Sequence, residues 1–81
     1  MTDVQLREIV LKGLGKIAPE ADLDALAPNA NVRQALDIDS FDFLNVLIGL
    51  NEALGVEIPE SDYGQLITLA DIVRYLSVRV G

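Results

Sequence analysis

The helical spacing of the aliphatic side chains is the feature that most limits the fold of this chain. Leu6, Val10 and Leu14 recur at intervals of four residues, which is the period of one face of an α-helix. Similar spacing returns twice further along, whereas the alternation typical of a strand never persists beyond a few residues. The pattern therefore predicts an all-α fold: a small helical bundle of three main helices plus one short helix, with a long first loop.

Local signals mark the ends of these helices. Gly55 suits a left-handed cap at the end of the second helix. Thr68 and Asp71 form a near capping box, with Asp in place of Glu, at the start of the last. The predicted helices cover about residues 3–16, 40–54, 58–64 and 69–79.

The connection between the first two helices, residues 19–39, is long for a compact domain. Loops of that length are uncommon and are usually functional. Four aliphatic side chains are expected to pin this one to the core: Leu23, Leu26, Val32 and Leu36.

Length and charge restrict the function. A chain of 81 residues is expected to form a single domain, residues 1–81. Its net charge is −7, and eight acidic residues with no Lys or Arg lie between Gln34 and Val73. This excess of negative charge disfavours binding to nucleic acids and to anionic membranes, and it favours binding to basic proteins. Without cysteine, a signal peptide or a membrane-length apolar run, the chain is expected to be cytoplasmic, and monomeric.

The tetrapeptide Asp39-Ser40-Phe41-Asp42 stands where the long connection becomes the second helix. The chain has no His to act as a base for Ser40 and no Cys to replace it, so no catalytic residue is predicted. A hydroxyl at a helix N-terminus can nevertheless carry a phosphate, because the free N–H groups and the dipole favour an anion. Ser40 could instead be a plain cap, but Asp39 can cap equally well and leave that hydroxyl free.

Other interpretations of the acidic cluster fail on spacing. A calcium loop from Asp37 needs an oxygen ligand, Gly and Glu at its fifth, sixth and twelfth positions, where the chain has Phe41, Asp42 and Ile48. An Asp-x-Asp phosphotransferase would require a much larger α/β domain. A serine hydrolase elbow needs flanking glycines and a downstream His. We therefore predict no metal site.

The tetrapeptide at Ser40 resembles the attachment site of acyl carrier proteins. The similarity continues through Glu57-Ile58-Pro59 and the capped last helix, with no insertion between Pro28 and Leu76. In that family the serine bears a 4′-phosphopantetheine arm. The resemblance implies that a phosphopantetheinyl transferase joins the arm from coenzyme A to Ser40. The thiol of the arm would then hold an acyl group as a thioester, so the protein would be a carrier and not an enzyme.

The resemblance also implies two further groups of residues. A docking surface for basic patches on acyl-processing enzymes would comprise Asp39, Phe41, Asp42, Leu44, Ile48 and Glu52. The acyl pocket would be lined by Leu50, Ile58, Leu66, Ile72 and Tyr75. Independently of the family, the second helix has two apolar faces, which so small a domain cannot bury fully. Part of the line formed by Phe41, Leu44 and Ile48 should therefore be exposed.

Several positions depart from the family pattern. Asn45 and Asn51 stand where Glu is frequent, Gly49 where Ala is usual, and Tyr63 where Ala is frequent near the acyl cavity. These departures favour a specialised carrier in fatty acid or related lipid or secondary metabolism. The cargo stays open between an acyl, a hydroxyacyl and an aminoacyl group. Outside the carriers, the alternative is an unmodified helical interaction module.

Overall fold

Three long α-helices form the body of the computed structural model, which describes residues 2–80. They are α1 (Asp3–Ile17), α3 (Ser40–Leu54) and α4 (Leu69–Val80), and α1 packs against both of the others. The predicted all-α bundle is confirmed, and the predicted second helix coincides with α3. The short helix expected after Pro59 is a 3₁₀ helix, η2 (Glu60–Gln65).

The long connection is not irregular throughout, contrary to the sequence-based expectation. It contains a 3₁₀ turn, η1 (Leu23–Ala25), and a short helix, α2 (Val32–Leu36). Asn31 caps α2, since its Oδ1 accepts a hydrogen bond of 3.1 Å from the Gln34 N–H. Asp37, in the left-handed region with a φ of 53°, ends the helix. The four aliphatic residues expected to pin the connection all pack in or against the core.

Backbone hydrogen bonds join this connection to the start of α4. The N–H of Val32 donates to the Ile67 carbonyl at 3.0 Å, and the N–H of Ala70 donates to the Pro28 carbonyl at 2.9 Å. Because these partners are far apart in sequence, the bonds fix the loop against α4 and bring it to the beginning of α3.

The core is almost entirely aliphatic and is shared by all three long helices. Each contributes side chains with essentially no solvent exposure, such as Leu6 from α1, Leu47 from α3 and Leu76 from α4. Truncating such a residue to Ala typically costs about 2–5 kcal/mol of stability. This packing fixes the rotation of α3 and turns its remaining sides toward solvent. No helix within residues 2–80 combines the length and apolarity needed to cross a membrane.

Candidate functional site

Ser40 is the first residue of α3, and its side chain is exposed. The residue before it, Asp39, caps the helix: its Oδ1 accepts a 2.8 Å hydrogen bond from the Asp42 N–H. Among residues 2–80, no hydrogen bond involves the Ser40 hydroxyl. Asp39 thus takes the role that Ser40 could have filled, and the hydroxyl stays accessible.

The start of α3 suits an attached anion more than a reaction catalysed by the chain itself. The first backbone N–H groups of a helix lack intrahelical partners. The cap satisfies that of Asp42, and among residues 2–80 those of Ser40 and Phe41 make no hydrogen bond. A phosphate there would meet these donors and the positive end of the helix dipole. The chain contains no histidine that could act as a base for the hydroxyl.

An apolar line runs along α3 from the position of Ser40. Ser40, Leu44 and Ile48 are four residues apart and therefore succeed one another on one side of the helix. Phe41 is 70% exposed and Ile48 is 47% exposed, and Leu44 is half-buried. The expected partial exposure of this second apolar face is confirmed. Beside this line, Asp39 and Glu52 are exposed and Asp42 is half-buried. All six residues predicted to form the docking surface thus belong to α3 or, for Asp39, to its N-terminal cap.

The five residues assigned to the acyl pocket lie together in the interior. Each of these side chains is at most 8% exposed, and they come from α3, α4 and the segments flanking η2: Leu50, Ile58, Leu66, Ile72 and Tyr75. Tyr63, which departs from the family pattern, packs against the same core. The interior beneath η2 is therefore apolar apart from the phenol of Tyr75.

A hydrogen bond joins the hydroxyl of Tyr75 to η2, and the sequence did not predict this contact. The hydroxyl donates a 2.6 Å hydrogen bond to Asp62 Oδ2. Arg79 lies over the ring at 3.5 Å from the centroid and places its guanidinium 3.6 Å from the same carboxylate. Burial, and then the hydrogen bond to Asp62, raise the pKa of Tyr75. Only the four-residue spacing of Tyr75 and Arg79 was visible in the sequence.

The predicted capping box of α4 is present. Thr68 Oγ1 accepts from the Asp71 N–H at 3.0 Å, and Asp71 Oδ2 accepts from the Thr68 N–H at 3.2 Å. The hydrogen bond from the Thr68 backbone, followed by that with its hydroxyl, lowers the pKa of Asp71. Within residues 2–80, no group of three or more His, Cys, Asp or Glu side chains is arranged to hold a metal ion.

Comparison with known proteins extends this picture over nearly the whole chain. Residues 4–76 match the family model described as "Phosphopantetheine attachment site". The acyl carrier protein of Syntrophobacter fumaroxidans is 35% identical over 74 residues, covering 91% of this chain and 85% of that protein. That of Campylobacter hominis is 32% identical over 72 residues, with 89% and 85% coverage. That of Rubrobacter xylanophilus is 30% identical over 73 residues, with 86% and 90% coverage.

A helical bundle with an exposed serine as the first residue of α3, together with the matched family model, defines the class as a phosphopantetheine-binding carrier domain. Within that class, the chain belongs to the acyl carrier protein family.

Proposed function

We propose that this protein carries acyl groups on a 4′-phosphopantetheine arm attached to Ser40. The observation that most directly supports Ser40 as the attachment site is that Asp39 caps α3, so that the serine hydroxyl stays exposed and free. The residues present fit the group, because a phosphate on Ser40 would lie beside unpaired N–H groups at the positive end of the helix.

The arm supplies the thiol that the chain itself lacks. The hydroxyl of Ser40 attacks the phosphorus adjacent to the pantetheine of coenzyme A, the phosphoanhydride bond breaks, and adenosine 3′,5′-bisphosphate leaves. The proton of the hydroxyl passes to a base, and this chain has no histidine to act as one. Asp39 contributes by keeping the hydroxyl out of the capping hydrogen bond. We propose that the chain has no catalytic role of its own.

The exposed side of α3 forms the proposed docking surface for the transferase and for acyl-processing enzymes. Phe41, Leu44 and Ile48 supply apolar contact, and Asp39, Asp42 and Glu52 supply charge for basic patches on the partner. The exposed Asn45 departs from the Glu that the family resemblance implies at this position, which lowers the negative charge of the surface. This departure supports a specialised carrier, and we propose that it acts in the cytoplasm as a monomer.

The apolar interior beneath η2 is the proposed pocket for the cargo. Leu50, Ile58, Leu66 and Ile72 would part to admit a chain, and each methylene buried would contribute about 0.8 kcal/mol. The hydroxyl of Tyr75 is occupied by Asp62 and is not available to a polar cargo. This favours an acyl group from fatty acid or related metabolism over an aminoacyl or hydroxylated one.

Intact mass spectrometry tests the attachment site. Incubation with coenzyme A and a broad-range phosphopantetheinyl transferase should add one phosphopantetheine to the wild type and none to Ser40→Ala. Ser61→Ala, which removes another exposed hydroxyl, is the matched control and should be modified normally. An unmodified wild type would contradict the carrier proposal and favour an unmodified interaction module.

Surface plasmon resonance against the transferase tests the docking surface. Asp42→Lys should mainly slow association, because charges at the rim of an interface act on the encounter rate. Leu44→Ala should mainly speed dissociation, with circular dichroism checking the fold. Glu60→Lys makes the same charge change on η2, outside the proposed surface, and should have little effect. If Glu60→Lys slows association as much as Asp42→Lys, only the net charge matters and the surface is wrongly placed.

A further inference from the structure

A groove between α1 and α3 opens on a different side of α3 from the apolar line that begins at Ser40. Its volume is about 170 Å³. Its apolar lining includes Ile9, Gly13, Val46 and Gly49, and its rim includes Lys12 and Lys16. Of the residues that line it, Leu50 also belongs to the proposed acyl pocket, and none belongs to the proposed docking surface. The side of the groove that faces solvent therefore needs its own explanation.

The two glycines of the groove are not required by the packing of the fold. A Cβ at Gly49 would meet nothing within 4 Å, and one at Gly13 would make an ordinary 3.8 Å contact with Val46. By contrast, a Cβ at Gly15 would come within 3.3 Å of Leu23. Glycine inside a helix is less stable than alanine by roughly 1 kcal/mol. At Gly13 and Gly49 this loss maintains an open groove and has no compensating contact within the chain.

The rim of the groove carries the positive charges of Lys12 and Lys16. Lys12 and Lys16 are the only lysines in a chain of net charge −7. Among residues 2–80 the ion pairs join Arg74 to Asp71 and Arg79 to Asp62, and neither lysine has a carboxylate within 4.0 Å. Two ammonium groups one turn apart on a helix repel each other. An anionic group bound between them would relieve that repulsion.

The size of the groove indicates what can enter it. A cavity of about 150 Å³ accommodates a benzene molecule, so the groove suits a single Leu-sized or Phe-sized side chain and not a long acyl chain. We propose that it is a second docking surface, which takes a segment of a partner protein carrying one apolar side chain between carboxylates. Its charge preference is opposite to that of the acidic surface on α3. A partner that engages both must therefore present basic and acidic groups on different sides, which fixes its orientation on the carrier.

Peptide binding to the ¹⁵N-labelled protein tests this proposal. The probe is a synthetic amphipathic helical peptide with one central Leu and a Glu one turn before and after it. Its two controls replace either both Glu with Lys or the Leu with Ser. The amides of Lys12, Lys16, Gly49 and Ala53 should shift. The Ser control should bind at least about tenfold more weakly, because burying a Leu side chain contributes about 1.5–3 kcal/mol. The Lys control should bind more weakly still at low salt.

Variants of the carrier separate the groove from general charge effects. Gly49→Leu fills the groove and should abolish binding, and Gly49→Ala should weaken it by a smaller factor while adding helix propensity. Lys12→Glu should weaken binding several-fold. Arg33→Glu makes the same change in net charge on α2, away from the groove, and should leave the affinity within about twofold.

Several outcomes would overturn the proposal. Equal binding of the Glu and Lys peptides, shifts confined to the acidic side of α3, or no binding of the Glu peptide would each do so. Competition by decanoate at the same amides would instead assign the groove to a small amphiphile. Dimerisation that Gly49→Leu abolishes would assign it to a second copy of this chain. None of these outcomes depends on Ser40, whose modification is measured separately by mass.

Discussion

The starts of α3 and α4 use the same residue types in different ways. At α4, Thr68 and Asp71 bond each other reciprocally, and both are partly buried. At α3, Asp39 caps the helix alone and the exposed Ser40 hydroxyl makes no bond with residues 2–80. The Thr68 hydroxyl stabilises the start of its helix, and the Ser40 hydroxyl remains accessible. Which residue accepts the cap hydrogen bond decides whether the neighbouring hydroxyl is structural or accessible.

The same contrast extends beyond the caps. The α4 side is reinforced by Tyr75, Asp62 and Arg79, which join it to η2. The α3 side ends in exposed apolar and acidic groups with few internal partners. We therefore expect substitutions on the α4 side to change stability and substitutions on the α3 side to change modification and docking.

Tyr75→Phe should give the largest change in stability. The hydroxyl donates to a carboxylate in a partly buried position, and such a bond contributes about 2 kcal/mol. For a domain of this size that corresponds to a fall in melting temperature of roughly 8 °C or more. Urea unfolding of both variants measures the change in stability. Tyr63→Phe, which removes a phenol hydroxyl from the same core, is the control, and its free energy of unfolding should change little. Equal losses in the two variants would show that the bond to Asp62 is unimportant.

Exchanging the two hydroxyls tests the contrast directly. Thr68→Ala should lower stability by about 1 kcal/mol, because it removes a helix cap, while leaving the rate of phosphopantetheine transfer unchanged. Ser40→Ala should do the reverse, with no transfer and a change in stability within about 0.5 kcal/mol. Thermal melts and transfer assays on the same samples provide both measurements. Destabilisation by Ser40→Ala as large as that by Thr68→Ala would contradict the distinction.

Asp39→Ala should lower stability by less than Tyr75→Phe, and it should also slow the transfer of phosphopantetheine. The loss of the cap should be about 0.5–1 kcal/mol, and Ser40 would then be the nearest side chain able to replace it. If Ser40 caps the helix, its hydroxyl becomes bound and the transfer rate should fall. Asp39→Asn retains the cap without the charge and should be loaded faster than Asp39→Ala. Equal transfer rates for the two variants would mean that the charge, and not the cap, matters.

The smallest expected effect is a change in stability at acidic pH. The pKa of Asp71 is lowered in the folded state by its bonds with Thr68, so the folded protein holds the ionised form more tightly than the unfolded chain does. Its contribution to stability is complete above the unfolded value of 3.8 and is lost as the pH falls below about 4. The difference in stability between wild type and Asp71→Asn should therefore be constant near neutral pH and shrink toward pH 3. A difference independent of pH would show that Asp71 acts only through its shape.

Local patterns in the sequence predicted much of the fold and the accessibility of the Ser40 hydroxyl. The bounds of α3, its left-handed end at Gly55 and the availability of Asp39 as a cap all follow from neighbouring residues. The exposure of Phe41 and Ile48 followed from a helix with two apolar faces in a small domain. Signals within one or two turns were sufficient for these features, because local backbone geometry determines them.

Features that depend on distant contacts were missed. α2 is only five residues long, too short for a periodic pattern, although Asn31 and Gln34 carry the spacing of its cap. The bond from Tyr75 to Asp62 joins residues on different elements, and no spacing marks it. The groove at Gly49 likewise appears only when α1 and α3 are brought together.

The backbone hydrogen bonds between Val32 and Ile67 and between Ala70 and Pro28 influence which parts of the protein unfold locally first. A helix as short as α2 is not stable alone in water, and closing so long a loop is entropically unfavourable until α4 is in place. α2 and the start of α4 should therefore form one cooperative unit. In native-state hydrogen exchange, the Val32 and Ala70 amides should exchange with equal opening free energies, above those of the amides at the start of α3. The first turn of α3, which begins at Ser40, would then fray repeatedly while the loop before it stays in place.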